Sequence, residues 1–211
     1  MKKLIAMGLV LISMVAVSTN AAESAKKVDK KSATKTKDMV VVKEATGQIK
    51  WTGFGVGKSH TGTVQLKSGT VDMKNENIVG GTFVFDMGTL TSPDSAKLVG
   101  HLKSEDFFAA EKFTTATLKI TNVTALKPAK AGDATHEITG DLTIKTKTNP
   151  ITFKAIVTND GKHFKATGSA EITDRTKYDI VYNSKQFGAV SKLGDKLIED
   201  NIKIDIDVMT K

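Results

Sequence analysis

The strongest constraint on this chain is a two-residue alternation of apolar and polar side chains from Glu44 onward, about four-fifths of its length. Ile202, Ile204, Ile206 and Val208 alternate with Lys203, Asp205 and Asp207. Successive side chains of a strand point to opposite faces, so this pattern predicts one buried and one wet face, as in an antiparallel sheet. Ile151, Phe153, Ala155 and Val157 form a second stripe. Phe164, Ala166, Gly168, Ala170 and Ile172 form a third. Further strands are read at Gln48–Phe54, Gly62–Leu66, Thr70–Lys74, Val79–Asp86, Thr115–Leu126 and Glu137–Lys145. Lys67-Ser68-Gly69, Asn75-Glu76-Asn77 and Asn159-Asp160-Gly161 punctuate them as turns. Eight or nine long consecutive strands predict an all-β chain, closed or sandwiched. Closure removes the edges that such strands would otherwise expose. An eight-stranded barrel has room for packed side chains or for one small ligand. The alternation serves a dry core and a ligand tunnel equally well.

One segment departs from the pattern. Ser92 and Pro93 read as a helix cap and first helical position, Asp94 sits in the first turn, and Leu98 and Leu102 stand four residues apart. A short helix is expected there, with a second helical turn from Ser104 carrying Glu105 and Asp106 at its start.

The ends and the charge narrow the function. Residues 1–22 combine Lys2-Lys3, an apolar run Leu4–Val17 and small residues up to Ala21 and Ala22. That is the make-up of a cleaved export signal, with cleavage near Ala21 or Ala22 and a periplasmic or secreted product. Residues 23–43 are rich in Lys, Ser and Thr and read as a flexible tether, whose lysines could make transient contact with an anionic membrane surface. The formal charge is +8, but residues 44–211 hold 22 basic and 20 acidic residues. A body so close to neutral lacks the basic footprint of a nucleic-acid binder. The chain has no cysteine, which excludes disulfides, thiolate metal sites and a thiol nucleophile. His60, His101, His136 and His163 show no metal-binding spacing. Gly53–Ser59 resembles a phosphate loop only superficially: Thr52 stands where the first glycine is needed, and a strand pattern follows. No nucleophile elbow is present. Neither an enzyme nor a resident cofactor is expected, and nothing in the sequence sets the oligomeric state, a dimer included.

His101-Leu102-Lys103-Ser104-Glu105-Asp106-Phe107-Phe108, followed by Glu111-Lys112-Phe113, resembles a segment of the YceI-like family. Gly140-Asp141-Leu142-Thr143-Ile144 with Pro150-Ile151-Thr152-Phe153 is similar to a hairpin of the same family. Thr82–Met87 and Ile172-Thr173-Asp174-Arg175 with Tyr178 add weaker likeness, and the order holds over residues 44–211. Thr114 in place of a usual proline, and Thr146-Lys147 in place of Gly-Val, depart from the pattern and imply a reshaped hairpin. The resemblance implies an elongated, eight-stranded, lipocalin-like antiparallel β-barrel with one short helical insertion. It also implies a lipid ligand, held non-covalently: a polyisoprenoid, an isoprenoid quinone or a fatty-acid derivative. Residues placed along such a tunnel are Trp51, Phe83, Phe85, Leu98, Leu102, Phe108, Leu118, Ile120, Leu142, Ile144, Phe153 and Ile172. His101 and Asp106 are expected to hold the helix-to-strand junction. A structural or stress-response barrel filled by its own side chains is the alternative.

Overall fold

The computed structural model describes residues 40–188 and 190–211. The export-type segment 1–22 and tether residues 23–39 lie outside the described residues. Eight strands run in chain order: β1 (Val41–Gly55), β2 (Lys58–Lys74), β3 (Asn77–Thr91), β4 (Thr115–Ala125), β5 (His136–Ile144), β6 (Lys147–Asn159), β7 (Phe164–Ile172) and β8 (Ile198–Thr210). Each pairs antiparallel with the next, and β1 pairs with β8, so the sheet closes into an up-and-down barrel. Helix α1 (Ala96–Lys103) is inserted after β3, and the four-residue helix α2 (Val190–Leu193) lies between β7 and β8. Val41, Val42 and Lys43, read from sequence as the end of the tether, belong to β1.

Short turns follow from residues that accept left-handed backbone. Val56-Gly57 joins β1 to β2 with Gly57 at φ +67°. Asn75 and Glu76 join β2 to β3 with φ of 50° and 64°. Lys145-Thr146 joins β5 to β6 in two residues, with Lys145 at φ 55°. In the β6–β7 turn Asp160 Oδ1 accepts from the backbone N–H groups of His163 at 2.7 Å and Lys162 at 2.8 Å. These bonds hold its carboxyl down at about 2. Their stabilising effect is present above the ordinary carboxylate range and fades as pH falls toward 2.

Three sequence readings are corrected. Lys67-Ser68-Gly69 is not a turn. The chain runs straight through it as one strand, β2, and the small residues accommodate a register shift against β3 between Leu66 and Ser68. The helix does not start at Ser92. Ser92 Oγ donates to the Thr61 carbonyl at 2.7 Å, and Ser95 Oγ accepts from Leu98 N–H instead. Nor do Glu105 and Asp106 begin a second helix. Residues 104–112 form tight turns closed by Ala109 N–H to Ser104 O and Ala110 N–H to Lys103 O.

The connection from β7 to β8 is built on Arg175, the chain's one arginine. It is 2% exposed. Its Nε donates to the Glu199 carbonyl, Nη1 to Ile180, and Nη2 to Tyr182 and Ile198, at 2.7–3.1 Å. Asp200 Oδ1 faces Nη2 at 3.4 Å. Burial lowers the guanidinium's pKa, and Asp200 and Asp174 raise it in opposition. The planar fork gathers the start of β8 and the preceding loop onto one group.

The barrel seam generates the first prediction. Gly47 lies in the bulge of β1 between Ala45 and Gln48, opposite Val208, with φ +146°. A Cβ there would meet the Asp207 carbonyl oxygen and lie 2.8 Å from Val208 Cα. Gly47→Ala is expected to cost about 1–3 kcal/mol. A lower urea midpoint at unchanged slope checks it. Arg175→Ala leaves four carbonyls without their donor and the buried Asp200 carboxylate without its ion-pair partner, and is expected to cost about 3–5 kcal/mol. Arg175→Lys recovers little of that, because an ammonium cannot span the fork. Denaturant curves of the two variants test this.

Candidate ligand cavity

Closing the sheet turns one apolar face inward from every strand. The ends of the barrel then differ. The mouth end carries the Val56-Gly57 turn, α1 and the β7–β8 connection. The far end carries the Asn75-Glu76 and Asn159–His163 turns. A cavity of about 400 Å³ occupies the mouth half. A second of about 70 Å³ lies in the far half.

Trp51, Phe85, Leu98, Leu102, Phe108, Leu118, Leu142, Ile144, Phe153 and Ile172 line the larger cavity. Phe83 and Ile120 do not. They sit two residues too far toward the other end and line the smaller cavity. Their stripe does face inward, but alternation carries no information about depth. Ile49, Val64, Met87, Ile202, Ile204 and Ile206 also line the large cavity. The last three stand on a stripe that the alternation marks as buried. Phe107, Ile180 and Tyr182 come from segments without strand period, and no sequence signal marks them.

α1 roofs part of the mouth. Its inner face brings Leu98, His101 and Leu102 to the cavity. His101 Nε2 and Asp106 Oδ2 hydrogen bond at 3.0 Å, which ties the helix to the turn that leads to β4. The His101 ring meets Phe107 and Tyr182 edge-on, with centroids 4.9 and 4.7 Å apart. This cluster joins α1 to the β7–β8 connection across the mouth. His60 Nδ1 and Asp94 Oδ2, 2.7 Å apart, fasten the segment before α1 to β2.

The polar groups at the cavity are few and concentrated at the mouth: Lys58, His60, His101, Tyr182, Asn183, Lys196, Glu199 and Asn201. Arg175 also borders the cavity, but its donors are already committed to backbone carbonyls. Trp51 Nε1 is buried without a partner. The indole stacks over Gly62, where a Cβ would lie 2.7 Å from its Cε2. Among the described residues no group of three His, Asp or Glu is placed to hold a metal ion. No helix among them is long and apolar enough to cross a membrane. The geometry therefore offers shape and apolar contact inside, with polar groups at the opening.

Comparison with known proteins places this architecture. Residues 27–210 match the YceI-like domain. Two curated proteins from strains of Pseudomonas putida, each called UPF0312 protein, are 39% identical over 62 residues, 29% of this chain and 30% of theirs. The match thus spans about three-tenths of those relatives. BcnA of Burkholderia cenocepacia superposes with a TM-score of 0.57 at 16% identity, covering 79% of this chain and 96% of that one. A polyisoprenoid binding domain from Saccharophagus degradans, implicated in plant cell wall breakdown, superposes at 0.55 with 8% identity, covering 81% and 99%. These two likenesses concern the fold. The sequence match extends over most of the chain, and this protein belongs to the YceI-like family.

Proposed function

We propose that this protein binds a long amphiphilic lipid, with the tail in the mouth cavity and the polar head at the rim. The ligand class we favour is a polyisoprenoid, an isoprenoid quinone or a fatty-acid derivative. The observation that carries the reading is a cavity of about 400 Å³ with a wall almost wholly of aliphatic and aromatic side chains. That volume falls in the range of sites that enclose a small ligand. A tail gains roughly 0.8 kcal/mol for each buried methylene, so such a wall needs little specific chemistry to hold one. The Saccharophagus polyisoprenoid binding domain has the same fold and supports the choice of ligand class. A barrel packed solid by its own side chains would leave no such space, which weighs against a purely structural role. Of the polar groups near the cavity, His60, His101 and Arg175 are engaged in holding the mouth together, and a binding protein describes this wall better than an enzyme does. We further infer a periplasmic or secreted site of action from the export-type segment Met1–Ala22. In that setting the Lys-rich residues 23–43 would offer transient contact with anionic membrane.

Native mass spectrometry of protein purified without detergent tests the reading. The expected result is an added mass of several hundred daltons that extracts as a prenyl or acyl lipid. A bare polypeptide mass, with no uptake of offered quinones or fatty acids, would sink it. Ala170 supplies a second test. It is 6% exposed and lines the cavity. Ala170→Phe should place its ring in the open space, cutting lipid uptake at least tenfold while the thermal midpoint stays near that of the parent. In a solid interior the same ring would overpack and cost about 1–3 kcal/mol.

A further inference from the structure

The two cavities share part of their walls. Ile49, Phe85, Leu118, Phe153 and Ile206 line both. They come from β1, β3, β4, β6 and β8, so they reach inward from around the barrel at one level. Ile49 and Ile206 are register partners across the seam. Phe85 is 7% exposed and Phe153 is 8% exposed, although open space lies on either side of their layer. The layer stands between the two spaces. Six residue steps along β1 lead from Ile49 to Gly55 at the rim. At about 3.4 Å per residue and a strand tilt near 40°, the mouth cavity is roughly 15 Å deep.

We propose that this partition is a length gauge: it stops the tail of the bound lipid half-way down the barrel and so selects ligands by chain length. The proposal rests on the lipid-binding reading above. Each methylene added to a tail improves affinity about fourfold while it finds apolar wall to contact. At the partition the next methylene meets two phenyl rings in a close-packed layer, and close-packed interiors resist small insertions. The gain per carbon should then stop. The far space of about 70 Å³ is apolar too, bordered by Phe83, Ile120 and Ala166, and would admit more tail if the layer were opened. The gauge assigns this chain a ligand whose tail ends at mid-barrel, not one threaded from end to end.

The experiment measures Kd of the full chain for a homologous series of saturated fatty acids and plots log Kd against carbon number. The parent should gain about fourfold per carbon up to a break and then stay flat. Phe153→Leu should move the break to longer chains by two or more carbons. Leu118→Ala thins the same layer from another strand and should do likewise, which covers the case in which one variant fails to fold. Ala166→Leu added to Phe153→Leu refills the far space and should return the break to its original place. Leu98→Ala widens the mouth cavity at its roof, away from the partition, and should leave the break where it was. A break that stays put in both partition variants, or that Leu98→Ala moves equally, overturns the gauge while leaving lipid binding intact. A parent that takes up no member of the series overturns the lipid reading and the gauge with it.

Discussion

Everything else in this molecule depends on β1 closing against β8. Ten register pairs run along that seam, from Ala45 with Thr210 to Gly55 with Ile198. Closure gives the peptide groups of every strand a neighbour on both sides. A barrel interior then carries no obligation to satisfy backbone polarity, because no edge remains. The inside is free to be lined by side chains alone, and apolar ones suffice. An open sheet of the same strands would expose an edge and could not enclose a cavity. The close approach at Gly47 is where the seam tolerates no side chain, and there the closure shows its steric cost.

Closure solves the edges but leaves two ends, and the protein treats them differently. At the far end Ala45, Val71 and Met73 pack with Leu66, Ile78, Phe83 and Phe164, and Thr210 Oγ1 accepts from Phe164 N–H at 2.9 Å. At the mouth, by contrast, the cover is made of irregular chain. α1 and the β7–β8 connection reach over the opening and meet through His101, Phe107 and Tyr182. Irregular chain exposes peptide carbonyls that no ladder satisfies. Arg175 answers that need with one rigid group that donates to Ile180 and Tyr182 there and to Ile198 and Glu199 at the start of β8. Lysine accounts for the rest of the 31 basic residues, and the single arginine stands where a flexible point charge would not serve.

The architecture is legible in the sequence because alternation and burial share one cause. A strand with one face inside must alternate, so the stripes at Ile202–Val208 and Ile151–Val157 mark their strands and their inner faces. The reading fails where two structures use the same residues. A bulge and a turn both favour Gly and Ser, so Lys67-Ser68-Gly69 resembles a break inside β2. Ser92 and Ser95 are both competent helix caps. Ser95 caps α1, while Ser92 Oγ donates to the Thr61 carbonyl on the neighbouring strand β2, a contact invisible along the chain. The same blindness applies to the cavity. Phe83, Phe85 and Met87 occupy equivalent places in one stripe, yet they line the far space, both spaces and the mouth space in turn. Depth is set by tilt and register between strands distant in sequence. Phe107, Ile180 and Tyr182 reach the cavity from segments with no period at all.

The cavity itself follows from how side-chain volume is distributed along the axis. Inward positions of the mouth half include Gly53, Ala116 and Ala170, each too small to meet a partner across the barrel. Two residues further along the same strands the inward positions change character. β4 passes from Ala116 to Leu118, and β1 reaches Ile49 beyond Trp51. β6 places Phe153 next after Ile151, and β3 places Phe85 opposite Ala116 in register. Large residues converge at one level, and above it Gly53, Ala116 and Ala170 stand among larger neighbours. Interiors pack to near-crystalline density wherever the side chains present can reach one another. The void therefore marks a level at which they cannot, and the layer below it marks one at which they can. Both levels are apolar, so polarity does not tell them apart. The difference between them lies in volume, and volume is what a hydrocarbon tail would measure.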